Sequence, residues 1–89
     1  MIKLIRAENL GSHQLRLYFS DGARGEFDFN EIVETRTAMT APLGDEGFFS
    51  RYFIELGALA WPNGFDMSAG SLHRRLSATG ALHRDADAA

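Results

Sequence analysis

The sequence contains no cysteine, so neither disulfides nor thiolate metal sites can support its fold. No apolar run approaches the ~18 residues needed to cross a membrane. The opening Met1-Ile2-Lys3-Leu4-Ile5-Arg6 has no apolar h-region and no small-residue cleavage site, so it does not read as a secretory signal. A cytoplasmic location is the expectation that follows. Excess positive charge is also lacking. The net charge is −3, made of −4 up to Leu72 and +1 beyond it. That balance gives no electrostatic footprint for nucleic acid, so none is expected as a partner of this chain alone.

Catalytic spacings are equally scarce. His13, His73 and His83 show no His-x-x-x-His pattern and read as three separate surface histidines. Ser71 stands two residues before His73, and on a helix such neighbours point apart. There is no Gly-x-Ser-x-Gly elbow, no Ser-x-x-Lys, and no phosphate loop ending in Lys. The carboxylates have local duties: Asp21 in a turn, Asp45 at a helix start, Glu26 and Asp28 on the outside of a strand. No catalytic residue, cofactor or metal is therefore expected, and the reading leans away from an enzyme.

What is present is aromatic bulk. Seven Phe, two Tyr and one Trp in 89 residues supply a core that so short a chain would otherwise lack. No internal repeat or linker divides it, and we expect a single domain over 1–78 followed by a flexible tail over 79–89.

The alternation Leu15, Leu17, Phe19 against Gln14, Arg16, Tyr18 predicts a strand. Ser20-Asp21-Gly22 then turns the chain into a second strand over 23–29, with Phe27 and Phe29 inside and Arg24, Glu26 and Asp28 outside. Arg16 or Arg24 is expected beside Glu26. A first strand is read over 2–7. Asn30 is placed as the cap of one short helix and Asp45 as the start of another. The second would stack Phe48 on Tyr52 and Phe49 on Phe53. The pair 54–56 and 58–61 reads as two strands about Gly57. Ser68 would cap a helix to about 77 with Leu72 and Leu76 inside, stopped near Gly80. The fold class is α+β: a small antiparallel sheet of about five strands with two short helices and a C-terminal helix on one face.

The stretch Trp61-Pro62-Asn63-Gly64-Phe65-Asp66 combines a large anchor, a rigid proline and a turn pair before a helix start. Together with Phe19-Ser20-Asp21-Gly22, Phe27-Asp28-Phe29 and Phe48-Phe49, it resembles the short bacterial family called domain of unknown function 2442. The resemblance runs from about residue 3 to about residue 76. Ser71-Leu72-His73 departs from it, standing where an acidic residue and Leu-Tyr are commoner. The resemblance implies a small α+β domain, found alone or fused to a helix-turn-helix domain. It also implies frequent gene neighbourhoods with another short protein, similar to toxin–antitoxin pairs, and it carries no catalytic residues.

The function expected is a non-enzymatic protein-interaction module, the antitoxin-like or accessory half of a two-gene unit, with a small protein as partner. A homodimer is compatible with the same sequence. The candidate surface is an exposed sheet edge or the turn over 61–66, with Trp61, Asn63, Phe65, Asp66 and Asp21 as its residues. The alternatives are a small-molecule or metal-ligand site in a cleft near Asp21 and Asp66, or weak DNA association through Arg74, Arg75 and Arg84.

Overall fold

The computed structural model describes residues 1–84. Strands β1 (Leu4–Gly11), β2 (Gln14–Phe19) and β3 (Ala23–Asp28) are followed by helix α1 (Asn30–Glu34), a 3₁₀ turn (Ala41–Gly44) and helix α2 (Glu46–Phe49). Then come β4 (Phe53–Glu55), β5 (Ala58–Ala60), β6 (Asp66–Met67), helix α3 (Ala69–Ala78) and β7 (Leu82–Arg84). The strands form two antiparallel sheets, ordered β1-β2-β3-β7 and β4-β5-β6. The α+β class holds, but four plus three strands replace the expected sheet of about five. The two sheets meet where the Leu4 N–H donates to the Gly57 carbonyl at 2.8 Å.

The β2–β3 hairpin forms as its alternation requires. Leu15, Leu17 and Phe19 are buried against Phe27, and outside Arg16 bonds Glu26 at 2.8 Å. Gly22 closes the turn, donating to the Phe19 carbonyl at 3.1 Å with φ +88°, a backbone state that glycine adopts without a steric cost. Strand β1 runs to Gly11 rather than ending near residue 7. Its polar second half pairs with β2 through the backbone, and a two-residue turn with positive φ at Ser12 and His13 connects them. Asn30 lies inside α1 rather than capping it. The Asp28 carboxylate takes the Asn30 N–H at 2.9 Å, and the Asn30 amide donates to the Ser12 carbonyl at 3.1 Å.

Asp45 does cap α2, accepting the Phe48 N–H at 2.9 Å. That helix ends at Phe49, so Phe49 is buried while Phe53 has passed into β4 and faces solvent. Ser68 caps α3, accepting the Ser71 N–H at 3.1 Å. At the other end the Gly80 N–H bonds the Ser77 carbonyl and the Ala81 N–H bonds the Leu76 carbonyl. This paired closure is the usual glycine-terminated helix end. Leu72 and Leu76 are buried by α3 under the larger sheet.

The tail expected over 79–89 falls partly within the described residues. Residues 82–84 form β7, with Arg24 opposite His83 and Gly25 opposite Leu82, while residues 85–89 lie outside those described. Arg84 anchors this strand through Asp21, a long-range contact that needs no apolar periodicity. Among the described residues no helix is long and apolar enough to cross a membrane.

The β4–β5 hairpin turns through Leu56 and Gly57, with φ +51° and +82°. Asn-Gly is the pair that such a turn favours, so leucine pays here for a conformation that asparagine tolerates. Leu56→Asn is therefore expected to raise stability by about 0.5–1 kcal/mol, seen as a higher urea midpoint. A lower midpoint would show that the leucine side chain packs within the fold.

Candidate interaction surface

The turn over 61–66 is fixed from within. Trp61 is only 1 % exposed, and its indole Nε1–H donates to the Phe49 carbonyl at 2.9 Å. The rings of Phe29, Phe49 and Phe65 surround it at 5.7, 5.8 and 5.6 Å between centroids. Trp61 is thus a core residue and not part of a surface, because an aromatic of this size gains most from full burial. Pro62, Asn63 and Gly64 form a three-residue loop: the Gly64 N–H bonds the Trp61 carbonyl at 3.0 Å, and the Trp61 N–H bonds the Phe65 carbonyl at 2.9 Å. Only Gly64 takes a positive φ, +92°. The Asn63 side chain accepts the Phe65 N–H at 3.1 Å and donates to the Met39 carbonyl at 3.0 Å.

That last bond brings the residue 39 loop against the turn. Met39 is 41 % exposed there, beside half-buried Phe65 and exposed Pro62 and Asp66. On β4 and its hairpin tip, Phe53 (41 %), Ile54 (37 %) and Leu56 (93 %) are also exposed, Phe53 in the same cross-strand row as Ala60 and Asp66. Asn63, Phe65 and Asp66 thus stand together at the turn, with Phe53 in the same cross-strand row as Asp66.

Asp21 belongs elsewhere. It sits at the β2–β3 turn, where its carboxylate meets His73 Nε2 and Arg84 Nη2, each at 2.9 Å, and accepts the Ala23 N–H at 3.0 Å. His73 is half-buried with its ring edge-on to Phe19 at 5.1 Å, so it is not a free surface histidine. His13 also departs from that expectation: it is half-buried on Phe49, with Nε2 2.9 Å from the Leu43 carbonyl and Nδ1 3.4 Å from Glu46. Asp21 and Asp66 lie on different sheets, and among the described residues no group of three His, Asp or Glu is placed to hold a metal ion. The sequence offered no signal for the Asp21–His73–Arg84 cluster, whose members stand 52 and 63 positions from Asp21.

Burial alone would raise the Asp21 pKa. The Ala23 N–H, His73 and Arg84 outweigh it and bring the carboxyl down to about 2. A depressed native pKa stabilises the fold above the unfolded value near ~3.9 and loses that contribution as pH falls towards about 2. We expect Asp21→Asn to cost on the order of 1 kcal/mol at neutral pH and to flatten the loss of stability between about pH 4 and 2. Urea midpoints across that window measure it; parallel acid limbs for both proteins would rule it out.

The outer face of the larger sheet is polar and internally paired. Arg16 bonds Glu26 and lies 3.7 Å from Glu8, while Arg6 holds Glu8 at 3.0 Å and stacks over Tyr18. The hydrogen bond from the Tyr18 hydroxyl, with help from both arginines, lowers the Glu8 pKa. A groove of about 380 Å³ beside it is lined by Arg16, Arg24, Glu26 and His83. The Arg16 charge there is already balanced by two carboxylates.

No curated protein and no solved structure matches the chain. A family model does match, over residues 4–76, and it spans the hairpin turns, the aromatic core and most of α3. The chain belongs to that family, the proteins of unknown function designated DUF2442.

Proposed function

We propose that this domain is a non-enzymatic protein-interaction module that uses its three-stranded sheet as the contact side. The observation carrying this is the concentration of exposed apolar side chains there: Phe53, Ile54 and Leu56 on the β4–β5 hairpin, and Met39 against the turn over 61–66. Several exposed apolar side chains on one small sheet suit an interface, and aromatic anchors beside them add to it. Asn63, Phe65 and Asp66 form the polar-rimmed end of that surface, and Trp61 holds it from behind. The resemblance in gene neighbourhood to toxin–antitoxin pairs favours a small protein as partner and the antitoxin-like half of a two-gene unit as the role.

The test is capture of the partner by the tagged chain from its native lysate, with Ile54→Lys and Asp66→Lys run beside it. Both side chains are exposed, so both variants should keep the native melting temperature. A stoichiometric small protein that is lost with either variant is the expected result. Equal recovery by all three chains, or an empty lane for the native one, would overturn the reading.

A further inference from the structure

The end of the small sheet nearest β1 carries a groove of about 450 Å³. Its apolar floor is half-buried Ile2 and Ala58, with exposed Met1 and Leu56 at its edge, and its rim carries Lys3 and Arg74 with no carboxylate among the lining residues. Among the described residues neither Lys3 nor Arg74 makes an ion pair. Both side chains pass close to a glycine. A Cβ at Gly57 would lie 2.9 Å from the Lys3 stem, and one at Gly70 would lie 3.3 Å from the Arg74 guanidinium. The first turn of α3 borders the groove, so its dipole adds charge of the same sign.

We propose that this groove binds an acidic segment of a partner protein, one in which Asp or Glu stands beside Leu, Ile or Phe. The proposal rests on the reading of the chain as an interaction module and adds the chemistry of the partner. Charge complementarity selects the occupant. The protein as a whole carries −3, yet this apolar groove presents two unpaired cations and no anion. Nucleic acid would leave the apolar floor uncovered, whereas a segment of mixed acidic and apolar side chains satisfies both parts. Leu56 points the same way: it is almost fully exposed and in a left-handed conformation, so it draws no packing return from its own chain.

The test pans a displayed library of random short peptides on the full chain, then measures the enriched peptides against Leu56→Asn and Lys3→Glu/Arg74→Glu. Enrichment of Asp or Glu next to large apolar residues is expected. Binding should weaken about tenfold or more in the charge-reversed variant, and also with rising salt. Melting temperatures check that each variant is folded, and Lys3→Glu alone replaces the double variant if Arg74 proves structural. Peptides without acidic enrichment, affinities indifferent to charge reversal, or no enrichment at all would each overturn the proposal. So would sedimentation of the native chain as a dimer that Leu56→Asn separates, since the occupant would then be a second copy. A lysate partner lost with Asp66→Lys but retained by Lys3→Glu/Arg74→Glu would leave the module standing and remove this groove from it.

Discussion

Trp61→Ala is expected to lower the free energy of unfolding by about 3–5 kcal/mol, which leaves little of what a domain of this size holds. The indole is packed by Phe29, Phe49 and Phe65 and belongs to a core that also includes Leu43 and Leu59. Deleting it opens a cavity between the two sheets that rings fixed by their own strands and helices cannot collapse to fill. The substitution also takes the indole donor from the Phe49 carbonyl, which keeps only the longer 3.4 Å bond from the Tyr52 N–H. Trp61→Phe separates the two effects: it keeps most of the packing and removes the donor, at a cost of about 1–3 kcal/mol. Urea unfolding followed by far-ultraviolet circular dichroism reads both variants without needing tryptophan fluorescence. If the alanine variant kept the native midpoint, the rings could not enclose the indole as described. Because Phe65 leans on Trp61, the alanine variant should also lose partner binding, although Trp61 itself is not at the surface.

The parts of the fold that could be read from the sequence are those decided by neighbours in the chain. The alternation through Phe19, the Asp21-Gly22 turn and the Arg16–Glu26 pair all lie within one hairpin, and each agreed with the others. Asp45 and Ser68 announced their helices for the same reason, since a cap acts within three residues. What the sequence concealed is long-range or runs against propensity. Strand β7 has three residues and no periodicity, and it is placed by Arg84 reaching Asp21 across the chain. The β1–β2 turn uses Ser12 and His13 at positive φ, where a glycine or asparagine would have marked it. Of the candidate surface, Asn63 and Asp66 stand at the turn that the sequence marked, while Phe65 is half-buried against Trp61. Trp61 was misplaced because a conspicuous residue type does not say which way it faces. Leu56 went unnoticed, since a leucine before glycine reads as a strand end rather than an exposed hairpin tip.

Gly25→Ala sets two opposed effects against each other, and their sizes decide the outcome. Replacing glycine by alanine within a strand ordinarily helps by about 0.4–1 kcal/mol through the unfolded chain. Here the new Cβ would stand 2.7 Å from the Ala81 carbonyl oxygen and 2.9 Å from a methyl of Leu76. Leu76 is buried in the core and has little room to turn away. The Ala81 oxygen is backbone, held by the Gly80 and Ala81 hydrogen bonds that end α3 and by the Gly25–Leu82 pairing that begins β7. Relief thus requires the whole corner between α3 and β7 to move off β3, and overpacking of this kind costs about 1–3 kcal/mol. The clash should win, giving a net loss of about 1–2 kcal/mol. Faster amide exchange at Leu82 and His83 should accompany it, because among the described residues β7 pairs with β3 alone. Adding Leu76→Val relieves only the methyl contact and should leave the exchange fast, since the carbonyl still stands in the way. A Gly25→Ala chain as stable as the native one, with β7 amides equally protected, would mean that α3 and β7 do not approach β3 this closely.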